Sequence, residues 1–445
     1  MHATASHPYS VIVGLGQTGV SCARHLAARG HRLAVTDSRV APPGLAELGR
    51  IAPQARLALG GFDPAVFAGA DQIIVSPGVA LSEPVLRAAA AQGLELVGDI
   101  ELFAREAGGR IVAITGSNGK STVTTLVGEM ARAAGVDVQV GGNLGPPALE
   151  LLAGPPAALY VLELSSFQLE TTYSLQPEVA AVLNLTPDHL DRYPDLAGYA
   201  AAKARVFDHA HTAVVNLDDP LVTLMPRPGQ RRLGFSLHRP GADYCVLQCA
   251  DGEWLAAGDT ALLPVSRLRL PGRHNAANAL AALAVGDACG FPRAAMTGVL
   301  ERFAGLAHRT QHVRAWRGVT WIDDSKGTNV GATTAAIAGL EGPLLLIAGG
   351  EGKGQDFRPL AAACRGKVRQ VILIGRAAPE LAAALAGSST VSLAESLPAA
   401  VAAAASVAAA GDTVLLSPAC ASFDMFRDYA HRGEVFVAAV RGLPA

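Results

Sequence analysis

The sequence predicts an α/β protein built from three domains in series. The chain has 445 residues, which is too many for one ordinary hydrophobic core. Half of them are hydrophobic, and alanine and valine supply much of that total, as in helices packed on parallel sheets. Short apolar segments repeatedly end in glycine-rich or polar turns that lead into helices, which is the pattern of a doubly wound sheet. We therefore expect a Rossmann-like N-terminal domain (1–98), a central P-loop ATPase-type α/β domain with a small β element (99–305) and a C-terminal Rossmann-like α/β domain (306–445).

Composition argues against several classes of function. The 36 basic and 38 acidic residues give a net charge of −2 without a long basic tract, so no nucleic-acid partner is expected. No apolar run reaches the length of a membrane span, and the N-terminal segment lacks the pattern of a secretory signal. The six cysteines are scattered, and the close pair Cys245 and Cys249 has no matching second pair for a zinc site. We expect a cytoplasmic protein with reduced thiols and no membrane insertion.

The N-terminal domain begins with a nucleotide-binding pattern. A GxGxxG sequence, Gly14–Gly19, follows the first strand, and Asp37 closes the second strand 18 residues beyond the last glycine. In a Rossmann fold such an acid binds a ribose, so these residues taken alone would suggest NAD. Ser76–Gly78 is another small-residue turn at the end of a strand, where doubly wound sheets bind ligands. The predicted strands are Ser10–Val13, His31–Thr36 and Gln72–Val75.

The central domain opens with a predicted phosphate-binding loop. Ile111–Ile114 is predicted as a buried strand, Thr115–Gly119 as a glycine loop, and the segment from Lys120 onward as a helix. Such a loop directs backbone N–H groups at phosphate oxygens, and the helix N-terminus adds positive charge. Lys120 would neutralise the outer phosphates, and the hydroxyl of Ser121 or Thr122 would bind Mg²⁺. The two loop glycines are closer together than in GxxxxGK[ST], so a plain glycine turn beside a solvated lysine is the alternative.

Three further side chains of this domain are candidates for the site. Glu163 lies near the end of an otherwise apolar predicted strand, Leu159–Leu164. Because a buried carboxylate is costly without a partner, a cation is the natural explanation, and a distant lysine or arginine is the alternative. His189 follows the next predicted strand of the domain. Lys203 falls on a predicted helix, Leu196–His209, where a lysine is usually solvated.

Two asparagines begin a later helix of the central domain. After the small β element, at Asp243–Val265, the segment Pro271–Asn278 opens an alanine-rich helix that runs to Ala288. Asn275 and Asn278 lie three residues apart, on one face of the helix start. Their amides would present donors and acceptors to an adenine edge, and the alternative is an N-cap beside a solvated amide.

The C-terminal domain repeats the order of strand, polar turn and helix. Its predicted strands are Thr320–Ile322, Leu344–Ile347, Gln370–Ile374 and Thr413–Leu416. The polar turns that follow strands are Asp323–Asn329, Gly349–Lys353 and Ser417–Ser422. Pro398–Gly411 is nearly all alanine and valine and is predicted as a helix packed on the sheet. Because polar loops end the strands of all three domains, we expect one site at their mutual clefts.

These residues together resemble the Mur ligase superfamily, the ATP-dependent amide-forming enzymes of peptidoglycan precursor synthesis, to which folylpolyglutamate synthetases are related. The shared motifs are Thr115–Thr122, Glu163–Ser166, Asp188-His189, His274-Asn275, His308-Arg309 and Asp324–Lys326. The motifs of the branch that joins D-glutamate to UDP-N-acetylmuramoyl-L-alanine are Gly14–Gly19, Val97–Phe103, Glu163–Thr172, Asp324–Asn329 and Leu416–Ser422. The resemblance covers essentially the whole chain and implies that the N-terminal domain binds UDP, not NAD.

The resemblance also implies the role of each site residue. The UDP substrate would be bound by Thr18, Asp37, Ser38, Ser76, Gly78, Asn143 and His189. ATP would be bound by Gly116, Ser117, Asn118, Gly119, Lys120, Ser121, Thr122, Asn275, Asn278, Arg309 and Asp324. Two Mg²⁺ ions would be held by Ser121, Glu163, His189 and Lys203, the last as a carbamate formed with CO₂. D-Glutamate would be bound by Lys326, Thr328, Lys353, Ser422 and Tyr429. Catalysis would depend on Lys120, His189 and Lys203, in an enzyme that acts as a monomer.

The chain departs from the family pattern at four positions near the substrates. Gln17 replaces a common leucine, Thr310 a usual aromatic residue, Tyr429 a phenylalanine and Ser38 a threonine. None of the four is among the predicted ATP or metal residues, so they bear on affinity and not on the reaction. The alternatives are a sister ligase for another amino acid, a folylpolyglutamate synthetase, an NAD(P)-dependent oxidoreductase and a nucleotide-binding regulator without catalysis.

Overall fold

Three sheets flanked by helices make up the computed structural model, which describes residues 8–270 and 272–444 and confirms the predicted α/β class. Pro271, predicted to open a helix, and residues 1–7 of the N-terminal segment, which was interpreted as lacking a secretory signal, lie outside the described residues. The strands are β1 Tyr9–Val13, β2 Arg32–Asp37, β3 Arg56–Leu59, β4 Gln72–Val75, β5 Leu96–Val97, β6 Arg110–Thr115, β7 Val138–Gly142, β8 Leu159–Glu163, β9 Val179–Val182, β10 Thr212–Asn216, β11 Arg231–Ser236, β12 Tyr244–Cys249, β13 Gly252–Ala257, β14 Thr260–Pro264, β15 Gln311–Trp316, β16 Val319–Asp323, β17 Leu344–Gly349, β18 Val368–Ile374, β19 Thr390–Leu393 and β20 Thr413–Leu416.

The helices lie between these strands in the order that an α/β fold requires. They are α1 Gln17–Ala28, α2 Leu45–Ile51, α3 Pro84–Ala91, α4 Asp99–Ala104, α5 Lys120–Ala133, α6 Ser166–Glu170, α7 Leu196–Ala204, α8 Pro220–Thr223, α9 Arg273–Ala288, α10 Arg293–Arg302, α11 Val330–Gly339, α12 Arg358–Cys364, α13 Ala378–Leu385, α14 Leu397–Val407 and α15 Tyr429–Arg441. Short 3₁₀ helices occur at Pro64–Phe67, Ala148–Leu152, Arg205–Phe207 and Val265–Arg267. Within the described residues, no helix is both long enough and apolar enough to cross a bilayer.

The first sheet is parallel throughout and has the strand order β3-β2-β1-β4-β5. The chain fills one side of β1 and then the other, so the order reverses between β1 and β4. Loops leaving the carboxyl ends of two such strands diverge and open a crevice, which is where this type of sheet binds ligands. The glycine pattern follows β1 and Ser76 follows β4, so both predicted nucleotide-binding turns lie at that crevice.

The central sheet has the order β14-β13-β12-β11-β10-β9-β6-β8-β7. The predicted small β element is confirmed as β12–β14, and it extends the edge of this sheet: β12 pairs parallel with β11, and β13 and β14 continue antiparallel. The predicted helix Leu196–His209 is wrong beyond Ala204, because the chain tightens there into the 3₁₀ turn Arg205–Phe207. That turn buries Val206 and Phe207 under the sheet.

The third sheet has the order β15-β16-β20-β17-β18-β19 and is parallel except for β15. The sequence analysis missed the edge strand β15 and the closing helix α15. The alanine-rich segment is helical from Leu397 to Val407, so the predicted helix Pro398–Gly411 is confirmed up to Val407 and wrong beyond it. The domain boundaries proposed at 98/99 and 305/306 stay proposals, and each falls between the strands of successive sheets.

One hydrophobic cluster crosses from the first sheet to the central sheet. It includes Leu15 and Leu26 beside the first sheet together with Phe103 and Tyr160, whose rings meet edge to face at 5.2 Å. The other face of the central sheet is covered by α5, α9 and α10, in a cluster built largely from alanine, valine and leucine. Every residue of α9 from Asn278 to Gly286 is buried, so this helix has apolar neighbours on all sides.

Candidate active site

The predicted phosphate-binding loop connects β6 to α5. Lys120 lies at the first position of α5, and its Nζ donates to the carbonyl oxygens of Gly116 and Ser117, both at 2.9 Å. Asn184, which follows β9, supports the loop from outside. Its Oδ1 accepts from Asn118 N at 2.8 Å and its Nδ2 donates to Asn118 O at 3.0 Å. The loop is therefore held by its own lysine and by the neighbouring strand end.

Gly119 is the point where the loop approaches α9 most closely. Its φ is +83°, and a Cβ there would lie 2.3 Å from Asn278 Oδ1. We expect Gly119→Ala to weaken ATP binding by at least about tenfold, because left-handed strain of about 1–2 kcal/mol adds to a steric clash at the nucleotide loop. Calorimetric titration with ATP measures the change. Gly135→Ala is the matched control, since Gly135 has a φ of +76° with nothing within 4 Å of its Cβ. Equal ATP affinity of the Gly119→Ala variant and the wild type would contradict the prediction.

A cavity of about 150 Å³ adjoins the loop. The predicted ATP residues that line it are Asn118, Gly119, Thr122, Asn275, Asn278, Arg309 and Asp324. Asn278 Nδ2 donates to Asn275 Oδ1 at 3.3 Å, so the two predicted amides do lie side by side. The sequence analysis missed Asn184, Asn216, Phe235 and His274 as lining residues. Only His274 belongs to a motif that could have indicated it.

Arg309 and Asp324 bring the C-terminal loops to this cavity. Arg309 Nη2 donates to Ser121 Oγ at 2.5 Å and so joins the third sheet to α5. Asp324 Oδ2 accepts from Ser417 Oγ at 2.7 Å, and its Oδ1 accepts from Thr310 N at 3.1 Å. Burial raises the pKa of Asp324 to about 7 in spite of these bonds. Although Thr310 replaces a usual aromatic residue, its backbone N–H still donates to Asp324 at this site.

Glu163 ends β8 beside the phosphate loop. Its Oε1 accepts from Asn143 Nδ2 at 2.5 Å, whereas its buried Oε2 has no hydrogen-bond partner. Burial alone would raise the pKa of Glu163, but the charge of Lys120 first, and then the nearby side chains of Ser121 and Asn143, hold it below its usual value. The carboxylate is therefore charged, and one of its oxygens is unpartnered. That arrangement fits a cation.

The donor set favours Mg²⁺ over a metal held by protein alone. Among residues 8–270 and 272–444, no group of three or more histidine, cysteine, aspartate or glutamate side chains is arranged to hold a metal ion. Mg²⁺ is usually bound by one or two carboxylates together with substrate phosphates and waters. Glu163 beside a phosphate loop meets that description.

Lys203 is buried, contrary to the usual position of a lysine on a helix. It is 1% exposed, and its Nζ donates to Gly116 O at 2.9 Å and to Thr115 Oγ1 at 3.3 Å. The same Nζ lies 4.7 Å from the ring centre of Tyr199. Gly116 O thus accepts from both Lys120 and Lys203. Burial first, and then the charge of Lys120, hold the pKa of Lys203 well below its usual value.

His189 lies in the loop after β9, with a left-handed φ of 56°. Its ring centre is 4.8 Å from that of Phe167, and its Nε2 is 3.7 Å from Asp188 Oδ2. Burial lowers the pKa of His189 to about 4 against the opposing charge of Asp188. The imidazole is therefore neutral near pH 7 and has a lone pair for a metal or a proton.

A cleft of about 460 Å³ opens at the crevice of the first sheet. Six of the seven residues predicted for the UDP substrate line it, namely Thr18, Asp37, Ser38, Ser76, Gly78 and Asn143. His189 does not line it. Asn143 both lines the cleft and donates to Glu163, so the cleft leads toward the phosphate loop.

Arg39 is a cleft residue that the sequence analysis missed. Its Nε and Nη2 donate to Oδ1 and Oδ2 of Asp37 at 2.8 and 2.7 Å, and this contact lowers the pKa of Asp37 to about 2. Asp37 Oδ2 also accepts from Leu15 N at 2.7 Å. Asp37 therefore holds both the glycine turn and an arginine at the rim. The position of Arg39, two residues after the predicted acid, was the available signal.

Two lysines of the C-terminal loops lie near the phosphate loop. Lys326 lines the cavity that adjoins the phosphate loop, and its Nζ is 3.9 Å from the ring centre of Tyr429. Burial lowers the pKa of Lys326 to about 7. Lys353 Nζ donates to Asp188 Oδ1 at 2.6 Å. The side chains of both lysines therefore contact residues that surround the phosphate loop.

Backbone hydrogen bonds join the three C-terminal loops. Ala419 N donates to Gly327 O at 2.8 Å, and Glu351 and Ala421 exchange two bonds of 3.0 and 2.9 Å. Thr328 directly follows Gly327, one of these bonded residues, and the buried Ser422 directly follows Ala421, another of them. The predicted glutamate residues are thus carried by loops that are bonded to one another.

Asn329 connects these loops to the phosphate loop and was not predicted to have a role. Its Nδ2 donates to Asn118 Oδ1 at 3.1 Å and to Asp188 Oδ2 at 3.0 Å. Its Oδ1 accepts from Ala332 N at 2.8 Å, which caps α11. One buried amide therefore contacts the ATP loop, the His189 loop and the start of a C-terminal helix.

Comparison with known proteins places this architecture in context. Three family profiles match in series: Mur ligase MurD-like, N-terminal domain at residues 9–98, Mur ligase middle domain at 114–286, and Mur ligase, glutamate ligase domain at 308–420. The chain is 55% identical to the UDP-N-acetylmuramoylalanine–D-glutamate ligase of Nitrosococcus oceani over 97% of this chain and 96% of the relative. It is 52% identical to the enzyme of that name in Marinobacter nauticus, with 100% of both chains covered. The solved structure of UDP-N-acetylmuramate-alanine ligase from Thermotoga maritima shares the fold, with a TM-score of 0.62 at 18% identity over 98% of this chain and 100% of that one.

Proposed function

The chain belongs to the Mur ligase family, and we propose that it is the ATP-dependent ligase that joins D-glutamate to UDP-N-acetylmuramoyl-L-alanine in peptidoglycan synthesis. The observation that carries this proposal is the convergence of Lys120, Glu163 and Lys203 on one phosphate loop. That loop lies between the cleft of the first sheet and the lysines of the third. ATP and Mg²⁺ are the cofactors of the family.

The chemistry requires activation, because the negative charge of a carboxylate makes its carbon a poor electrophile. The terminal phosphoryl group of ATP is transferred to the substrate carboxylate, which yields an acyl phosphate and ADP. The amine of D-glutamate then attacks the acyl carbon, loses a proton, and phosphate leaves. Lys120 and Arg309 supply positive charge where two anions meet, and positioning and electrostatics carry such a transfer. Burial keeps His189 neutral, so the lone pair of its imidazole is available to a metal ion.

Ser121, Glu163 and His189 are the residues we assign to two Mg²⁺ ions, with Lys203 as a carbamate. The bound metal offsets the repulsion between phosphate and carboxylate. Carbamate formation joins the neutral amine of Lys203 to CO₂ and releases one proton, so a neutral amine becomes an anionic carbamate. Support comes from the depressed pKa of Lys203, since only the neutral amine attacks CO₂.

We assign the two carboxylates of D-glutamate to the C-terminal loops. Lys326 and Lys353 supply two positive charges, which matches a dicarboxylate. Thr328, Ser422 and Tyr429 complete the assigned set on the same bonded loops. The free thiols of all six cysteines fit the cytoplasm, where we place the enzyme as a monomer.

A panel of amino acids tests the proposed function directly. With UDP-N-acetylmuramoyl-L-alanine, ATP and Mg²⁺ present, phosphate release should require D-glutamate and should be absent with L-alanine, L-lysine, meso-diaminopimelate or L-glutamate. Release with another amino acid would indicate a sister ligase. Release with none, in a protein that binds ATP, would indicate a non-catalytic regulator and would refute the proposal.

The KM for D-glutamate should rise as the pH rises above about 7, the pKa of Lys326. Below that pKa the side chain is an ammonium that attracts a carboxylate, and above it the free enzyme carries a neutral amine. The increase should approach tenfold per pH unit until the higher pKa of the complex is reached. Steady-state phosphate release from pH 6 to 8.5 measures it.

Lys326→Arg is the control for this pH dependence, because a guanidinium stays charged throughout the range. Ionisation of the glutamate amine affects both enzymes equally, so it cancels in the comparison. Parallel profiles for the two proteins would show that Lys326 does not titrate against the substrate.

A further inference from the structure

Asp99 is a buried carboxylate that the proposed reaction does not use. It is 1% exposed and its Oδ1 has no hydrogen-bond partner. Its Oδ2 accepts from Gln168 Nε2 at 3.0 Å. Burial raises the pKa of Asp99 to about 6, which reflects the cost of removing a charge from water without a cation beside it. An apolar side chain would serve packing at least as well, so the carboxylate calls for another explanation.

The position of Asp99 follows from a close approach at the junction of the first two sheets. Gly98 N donates to Thr171 O at 3.1 Å, and a Cβ on Gly98 would lie 2.3 Å from Thr171 Oγ1. Only glycine permits this approach. It brings the first residue of α4 against α6, within hydrogen-bond distance of Gln168.

The amide of Gln168 is already committed on its oxygen side. Gln168 Oε1 accepts from Ser165 N at 3.1 Å and from Ser165 Oγ at 3.2 Å, while Ser165 Oγ accepts from Gln168 N. This is a capping box at the start of α6. The nitrogen side carries two hydrogens, and Asp99 accepts one of them.

Gln168 also lines the cleft of the first sheet, as Asn143 does. We propose that Asp99 is a positioning residue for the UDP substrate: by accepting one N–H of Gln168, it directs the other N–H to the oxygen atoms of that substrate. The inference rests on the proposed function, which names the occupant of the cleft.

The choice of glutamine at position 168 supports this assignment. A glutamate would complete the capping box equally well, because the box needs only an acceptor at that position. It would, however, place a second carboxylate against Asp99 and offer no donor to an anionic ligand. Only an amide can cap α6 with its oxygen while its nitrogen serves both Asp99 and a substrate.

Calorimetric binding of UDP-N-acetylmuramoyl-L-alanine to the full chain, without ATP, tests the inference. Asp99→Leu should bind this substrate at least about tenfold more weakly than the wild type. Asp99→Asn, whose Oδ1 can accept the same bond, should stay within about threefold. Gln168→Glu should also lose affinity, because a carboxylate at this position offers no donor to the substrate.

Two further measurements separate positioning from a merely structural role. ATP affinity should be unchanged in Asp99→Leu, and its kcat at saturating UDP substrate should match the wild type while the KM for that substrate rises. Its melting temperature should not fall, since an uncompensated buried charge has been removed.

The outcomes distinguish this inference from the proposed function. A wild-type protein that does not bind the UDP substrate would overturn the proposed function. Wild-type binding that Asp99→Leu retains in full would overturn the inference alone. Equal losses in Asp99→Leu and Asp99→Asn, or a parallel loss of ATP affinity, would also overturn it.

Discussion

Lys120→Ala should lower D-glutamate-dependent phosphate release by at least about 10³-fold, the scale seen when a cation that stabilises a phosphoryl-transfer transition state is removed. The ammonium group lies across the phosphate loop, bonded to Gly116 O and Ser117 O. It is therefore already in place to oppose the repulsion between ATP and the substrate carboxylate. Burial lowers the pKa of Lys120, so desolvation offsets part of what its contacts with the loop and with Glu163 contribute to the unliganded fold. The melting temperature should stay close to that of the wild type.

Lys367→Ala is a matched control for Lys120→Ala. Lys367 Nζ also donates to backbone carbonyls, those of Ile337, Ala338 and Leu340, each at 2.9 Å. Lys367 directly precedes β18, and its Nζ lies at the carboxyl end of α11. This variant should lose some stability and keep its activity. If Lys120→Ala kept near wild-type turnover, the assignment of the loop would be refuted.

Lys203→Ala should be inactive to a similar degree, and short-chain carboxylic acids should partly restore it. The buried side chain ends at Gly116 O and Thr115 Oγ1, so alanine leaves a space beside the loop. Acetate or propionate can place a carboxylate there, as the proposed carbamate would. Phosphate release at increasing acetate concentration measures the recovery.

Two controls make the Lys203 experiment decisive. Sodium chloride at equal ionic strength should not restore activity, and acetate should not restore Lys120→Ala. In ¹³C NMR with labelled bicarbonate, the wild type should show a carbamate signal that Lys203→Ala lacks. A wild type without that signal, together with a variant that no acid restores, would contradict the carbamate.

Features set by neighbouring residues could be predicted from the sequence. The phosphate loop is a local pattern, because a strand, two glycines, a lysine and a helix start are enough to define it. The crevice of the first sheet could also be predicted, since Asp37 and Ser76 follow strands that are recognisable in the sequence. These positions needed no knowledge of distant contacts.

Features set by contacts between distant segments could not be predicted. Lys203 lies on α7, and the sequence of that helix does not show that the Nζ of this lysine ends beside the phosphate loop. The partner of Asp99 is Gln168, 69 residues along the chain, and only the close approach at Gly98 brings them together. Asn329 was recognised within a motif, but its bond to Asn118 spans 211 residues. A role that arises from tertiary packing has no characteristic residue spacing in the sequence.

Helix α9 couples the nucleotide affinity of the central domain to the stability of its hydrophobic core. Its buried alanines pack in the hydrophobic cluster on one face of the central sheet, and Asn278 near its start lies against Gly119 of the phosphate loop. A larger side chain at a buried alanine would displace the helix and, with it, the Asn278 amide that lines the cavity beside the phosphate loop. By mass action, a nucleotide that binds only the correctly packed helix also favours the folded state, by RT ln(1 + [L]/Kd). We therefore expect ATP to stabilise the folded state as well as to serve as a substrate, and core substitutions that leave α9 in register should show an unchanged thermal shift on adding ATP.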